Sequence, residues 1–133
     1  MTYYADLSPY TYLPDTAPAD KTVLNVGWLD KDHPYPTGTP PETFLQRLGI
    51  LCLNPVMRTR GMHWCELCPE DELEYPVTPT IEGTPTPLGG AEVRVPTADG
   101  TILAAPDLIY HYVEKHHYLP PSLVIESVLA QQY

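Results

Sequence analysis

The clearest alternation of polar and apolar positions lies between residues 91 and 104. Residues 91–95 alternate, residues 97–100 read Thr-Ala-Asp-Gly, and residues 101–104 resume an extended character. Two extended segments joined by a turn with a glycine available for positive φ are typical of a β-hairpin. The pattern therefore predicts an antiparallel hairpin here, and the apolar run at 23–29 predicts a further short strand.

Apolar residues recur at helical spacing in three segments. The first prediction is a helix over residues 41–53, where Thr39 offers a hydroxyl for the N-cap and prolines occupy the start. A second helix is predicted from Pro106 to about 115 or 116. A third is predicted over residues 121–131, after a pair of prolines.

Seventeen prolines disfavour long strands and long helices, because each fixes φ and removes a backbone donor. Residues 3–20 mix tyrosine with proline and predict an extended segment, anchored on a core by its rings. Residues 69–90 are rich in proline and glycine and predict loop. The expected fold is a small α+β domain over residues 1–133, with short helices around a hairpin or small antiparallel sheet.

Candidate chemistry is concentrated in a Cys-x-x-Cys motif, Cys65 and Cys68, and in two histidines of the second predicted helix, His111 and His116. Zinc takes four ligands at tetrahedral corners, and a Cys-x-x-Cys turn presents two sulfurs to one point. The gap between the histidines is also typical of such sites. The sequence therefore predicts a structural zinc ion bound to these four residues, which would join the middle of the chain to its C-terminal part.

Helix geometry restricts this prediction. Five helical steps turn through about 500°, which leaves His111 and His116 about 140° apart on an ideal helix. Both imidazoles can reach one ion only if His116 lies where the helix ends. The alternatives are that His63 or His117 replaces a distal histidine, or that the cysteines are unligated and the histidines lie on the surface.

Two catalytic hypotheses are alternatives to a structural metal site. With three protein ligands, a metal-bound water could act as a nucleophile, with Glu66 or Glu114 as the base, as in a zinc hydrolase or deaminase. The Trp64-Cys65 order is also that of thioredoxin-like oxidoreductases, but polar residues precede it and Pro69 follows. The third cysteine, Cys52, is expected to be a small buried hydrophobe.

The formal charge of −10 disfavours nucleic-acid binding. No apolar run reaches the roughly 20 residues that span a bilayer. The N-terminus lacks a basic region followed by an apolar core, so we expect no secretory signal and a cytoplasmic protein.

The acidic run 66–74 is either a solvated loop or a face for a basic partner. Arg58 and Arg60 are either its ion-pair partners or a binding point for an anion or a partner.

Several sequence blocks together resemble a family of small uncharacterised bacterial proteins, found in actinobacteria and myxobacteria and described as a domain of unknown function. The blocks are residues 4–10, residues 25–29, the Arg-Gly-x-His-x-Cys-x-x-Cys stretch from residue 60, and residues 105–121 with Leu-Ile-Tyr-His-Tyr-Val. The resemblance implies a single compact domain whose Cys/His set belongs to the family pattern. The chain departs from it with His117, where glycine is expected, and His116 is therefore the better ligand candidate.

The expected function is that of a small acidic zinc-binding protein. We expect it to act by binding another protein, as an immunity-like or regulatory partner, rather than by catalysis. A zinc-dependent enzyme with a three-ligand site is the alternative, followed by a thiol-disulfide oxidoreductase.

Overall fold

The computed structural model describes residues 3–10, 21–56 and 62–131. Within these ranges the elements are β1 Val23–Asn25, α1 Glu42–Leu53, β2 Thr80–Ile81, β3 Thr84–Pro85, β4 Glu92–Pro96, β5 Ile102–Pro106, α2 Ile109–His116 and α3 Ser122–Ala130. Short helices around two small sheets confirm the predicted α+β class. Within the same ranges, no helix combines the length and the apolar character that crossing a bilayer requires.

The central sheet is built on the predicted hairpin. β4 and β5 pair antiparallel, with Val95 opposite Leu103, and Gly100 supplies the positive φ of the turn at +91°. β1 adds to the other side of β5 in parallel, with Leu24 opposite Leu103, so the sheet order is β1-β5-β4 and the sheet is mixed. The parallel pairing was not part of the prediction, because a three-residue apolar strand carries no signal for the direction of its partner.

Residues 3–10 run antiparallel to β1 and the residues that follow it. Tyr4 forms a bridge with Trp28, and Pro9 forms one with Leu24. The Tyr10 hydroxyl donates a 2.7 Å hydrogen bond to the buried carboxylate of Glu92 in β4. The predicted extended segment with tyrosine anchors is confirmed for residues 3–10, and the rest of it, residues 11–20, lies outside the described residues.

Helix α1 packs against both α2 and α3 and buries Phe44 and Leu48. It begins at Glu42 after Pro41, close to the predicted start, but no side chain caps it. The predicted Thr39 hydroxyl cap is therefore wrong. The physical reason is that the N-cap position falls on Pro41, two residues beyond Thr39, and the proline side chain has no hydrogen-bond acceptor.

The segment 69–90, predicted as loop, contains a 3-10 turn at Glu70–Glu72 and the hairpin β2-β3. Glu82 and Gly83 connect the two strands with φ of +50° and +78°, the pair of positive values that tight hairpin turns require. Ile81 and Leu88 from this segment are buried in the core. The dense prolines and glycines hid these elements, because the strands are only two residues long.

Helix α2 starts at Ile109, later than predicted, because Pro106 is still the last residue of β5. It ends at His116 as expected, and His117 then takes a left-handed conformation with φ +55° and ψ +28°. This conformation turns the chain so that Tyr118 enters the core. Glycine is the residue best suited to such a position, which explains physically why glycine was expected there.

The left-handed position generates a stability prediction. We expect His117→Gly to raise the free energy of unfolding by about 1 kcal/mol, because glycine removes the Cβ strain of this conformation. Urea denaturation measures it. The control is Lys115→Gly in the same helix, which should lower stability by about 1 kcal/mol. If both variants lost stability, the left-handed cap would be wrong.

Candidate metal centre

The structure brings together the four side chains that the sequence singled out. One ligand atom from each of Cys65, Cys68, His111 and His116 lies within 4.8 Å of the other three. Two come from a turn and two from α2, with more than forty residues between the two pairs. A group of two sulfurs and two imidazole nitrogens at this separation could hold one metal ion.

The distances between ligand atoms agree with a tetrahedral ion. Cys68 Sγ lies 3.3 Å from His111 Nε2 and 3.4 Å from His116 Nε2. Cys65 Sγ lies 3.4 Å from His116 Nε2. A tetrahedral zinc with its usual bonds to sulfur and nitrogen has S···N edges of about 3.5 Å. These three S···N distances are therefore compatible with one tetrahedral ion bound by the group.

Helix α2 presents both imidazoles to this space. His111 lies in its first half and is buried, while His116 is its last residue. The two rings approach to 5.1 Å between centroids. The Tyr35 hydroxyl donates a 3.1 Å hydrogen bond to the His116 carbonyl, which secures the helix end. The requirement that His116 lie at the end of the helix is therefore met.

The cysteine turn is held against the start of α2 by backbone contacts. The His63 amide donates to the Gly89 carbonyl at 2.9 Å, and the Gly89 amide donates to the buried Asp107 carboxylate at 2.8 Å. Asp107 lies two residues before the first residue of α2, and its own amide donates to the Ala91 carbonyl at 3.0 Å. Sequence reasoning missed Gly89 and Asp107, since a glycine in a proline-rich segment and a lone aspartate carry no specific signal.

Burial sets the protonation of the imidazoles. It lowers the pKa of His111 to about 4, with the neighbouring His116 as a further cause, and it also lowers the pKa of His116. Both rings are therefore neutral at pH 7, which is the form that binds a metal.

The same burial affects the thiols in the opposite sense. It raises the pKa of Cys65 to about 12, whereas a redox-active thiol needs a depressed pKa. Cys68 is followed by Pro69 and a 3-10 turn rather than by an α-helix whose dipole could lower that pKa. These features disfavour the oxidoreductase reading. Cys52 is buried as expected, with its pKa also raised by burial.

The alternative ligands lie elsewhere. His63 is not a member of the four-residue group and takes part in the structure through its backbone. His117 follows the last residue of α2, is exposed and is not a member of the group. His33 stacks on Tyr3 at 3.8 Å and contacts Asp30 at the surface. Arg58 and Arg60, the candidate anion-binding or partner-binding residues, lie outside the described residues.

A cleft of about 570 Å³ opens beside the group. Cys68, His111 and His116 line it, whereas Cys65 does not and is buried, with 1% of its surface exposed. Of the two suggested base residues, Glu114 lines the cleft and Glu66 does not. Glu72, Glu74 and residues 77–80 also line it, and the sequence did not place them near the site.

The fold and the site define a small α+β domain with a Cys2His2 group that could hold a metal ion. The chain belongs to the family described as a domain of unknown function (DUF7919), whose pattern it matches over residues 2–129. No curated protein and no solved structure matches the chain.

The contact between Gly89 and the cysteine turn can be tested by adding one methyl group. Gly89 has φ +117°, and a Cβ there would overlap the His63 carbonyl oxygen. We expect Gly89→Ala to destabilise the protein by more than about 2 kcal/mol and to weaken metal binding, because the turn must move away from α2.

The matched control is Gly83→Ala. Its φ is also positive, at +78°, but a Cβ there would meet nothing within 4 Å. This variant should show backbone strain of about 1 kcal/mol and unchanged metal affinity. Equal metal affinity in both variants would contradict the proposed role of Gly89.

Proposed function

We propose that Cys65, Cys68, His111 and His116 hold one structural zinc ion, and that the protein acts by binding another protein rather than by catalysis. The observation that carries the metal part is the meeting of four ligand atoms from two remote segments within 4.8 Å. Three S···N distances of 3.3–3.4 Å, close to the edges of a tetrahedral zinc site, support the same proposal.

The donor set favours zinc over other ions. Two thiolates and two imidazoles in a tetrahedral arrangement are the ligands of structural zinc sites, whereas calcium and magnesium take oxygen ligands. The charge also balances, since two thiolates offset the ion's two positive charges. Without that ion, the buried Cys65 thiol remains protonated, as its raised pKa indicates.

The positions of the ligands support a structural role for the zinc ion. The segment from residue 62 to residue 79 contains one 3-10 turn and no longer element, so few backbone hydrogen bonds order it. An ion bound to Cys65 and Cys68 would fasten this segment to α2. Because such a site does not pre-exist in the unfolded chain, the binding free energy contributes directly to folding.

A zinc-dependent enzyme is the second candidate, and the cleft is the observation that favours it. Three of the four ligands line the cleft, and Glu114 lies there as a possible base. A catalytic zinc keeps an open position for water. The two candidates therefore differ in whether Cys65 is a ligand. Its Sγ is 3.4 Å from His116 Nε2, which favours a closed site of four protein ligands.

The protein-binding part is supported by surface chemistry beside the site. Trp64 and Tyr75, two large aromatic residues, remain 57% exposed. Tryptophan and tyrosine contribute disproportionately to protein–protein binding. The charge of −10 adds an electrostatic preference for partners of opposite sign.

The adjacent residues His116 and His117 allow a matched test of the proposed zinc site. We expect the purified protein to contain one zinc per chain by elemental analysis, and His116→Ala to lose it. Tm should then fall by more than about 10 °C, because several kcal/mol of metal-linked stability disappear. Chelation of the unaltered protein should produce a similar decrease.

The control is His117→Ala, which removes an exposed imidazole one residue away. It should retain one zinc and an unchanged Tm. A purified chain free of metal, or equal metal loss from both variants, would contradict the proposed site.

A further inference from the structure

Two aromatic side chains beside the metal centre are exposed together. Trp64 and Tyr75 are each 57% exposed, whereas Trp28 is 2% exposed. The two exposed rings contact each other edge to face, with 6.4 Å between centroids. They therefore form one continuous apolar patch rather than two scattered residues, and contiguous exposed apolar surface commonly marks a binding site.

The patch is held in place. The Tyr75 hydroxyl donates a 2.8 Å hydrogen bond to the Met62 carbonyl, which fixes its ring across the start of the segment. Trp64 directly precedes Cys65, so the turn that presents the sulfur also positions the indole. A positioned aromatic pair loses little conformational entropy when a partner binds.

Carboxylates occupy the neighbouring cleft. Glu72, Glu74 and Glu114 line it, against a single basic residue, Lys115. All three glutamates are exposed, and no basic side chain of the described residues lies within ion-pair distance of them. Glu74 directly precedes Tyr75 in the chain, and one of its oxygens accepts a hydrogen bond from the Thr78 amide. The carboxylates thus make the cleft net negative.

We propose that Trp64, Tyr75 and the three cleft glutamates form a docking surface for an arginine-bearing segment of a partner protein. This inference rests on the proposed protein-binding role. A guanidinium stacks on aromatic faces and pairs with carboxylates through its planar set of donors, so a segment with several arginines can use both halves of the surface. An acidic segment or a nucleic acid would meet repulsion from the same carboxylates.

Two further features fit this occupant. The cleft, at about 570 Å³, has room for extended side chains rather than for a folded domain. The overall charge of −10 attracts a basic segment before contact and accelerates its association. Binding should therefore weaken as salt concentration rises.

A peptide titration tests the surface directly. The probe is a short capped peptide that alternates arginine and glycine, added to the zinc-loaded full chain and followed by calorimetry and tryptophan fluorescence. We expect binding that changes the emission of the exposed Trp64, while the buried Trp28 contributes a constant background. The matched peptide with glutamate in place of arginine should not bind.

Paired variants localise the binding. Trp64→Ala and the double variant Glu72→Gln/Glu74→Gln should each weaken it by about tenfold or more. Leu123→Ala and Glu126→Gln make comparable changes at exposed positions of α3, which borders a different cavity, and should bind as the unaltered protein does.

Failure of this inference can be told apart from failure of the zinc site. A chain that holds one zinc but ignores the arginine peptide would overturn the docking surface and leave the metal centre standing. Equal binding of both peptides, or unchanged affinity in Trp64→Ala, would also overturn it. The zinc site is judged separately, from the metal content and Tm of the protein before any peptide is added.

Discussion

Two sulfurs from one turn and two imidazoles from one helix meet within 4.8 Å, and this convergence is the constraint to which the rest of the molecule is adjusted. Cys65 packs in the same hydrophobic core as Tyr112 and Val113 of α2, but residues 69–75 that follow the cysteine turn are exposed. An ion bound at this point would add to that packing and fasten the start of the exposed segment. The proposed protein-binding surface depends on the same turn, because it positions Trp64.

Backbone conformations at two positions help to bring the four ligand side chains together. Gly89 allows the cysteine turn to approach α2 closely, and Asp107 links that contact to the start of the helix. At the other end, His117 adopts the left-handed conformation that ends α2 at the second imidazole. A helix one turn longer would carry the chain past the site. Local strain at these positions is thus the cost of bringing the ligands together.

Much of this arrangement could be read from the sequence, for identifiable reasons. The hairpin over 91–104 and the helices were predicted because their apolar periods are strong. The four metal-ligand candidates were predicted because the Cys-x-x-Cys motif and the spacing of the histidines match the geometry of metal sites. The parallel strand β1 and the hairpin β2-β3 could not be predicted, since two or three residues carry no period. The cleft was also hidden, because it joins segments that meet only through tertiary packing.

Zinc-edge X-ray absorption on the purified, zinc-loaded protein measures the central claim most directly, because it counts the atoms bonded to the ion. The account predicts two sulfurs at about 2.3 Å and two nitrogens at about 2.0–2.1 Å, with no further ligand. A single sulfur, or an oxygen in the fourth position, would contradict a closed site that includes both Cys65 and Cys68.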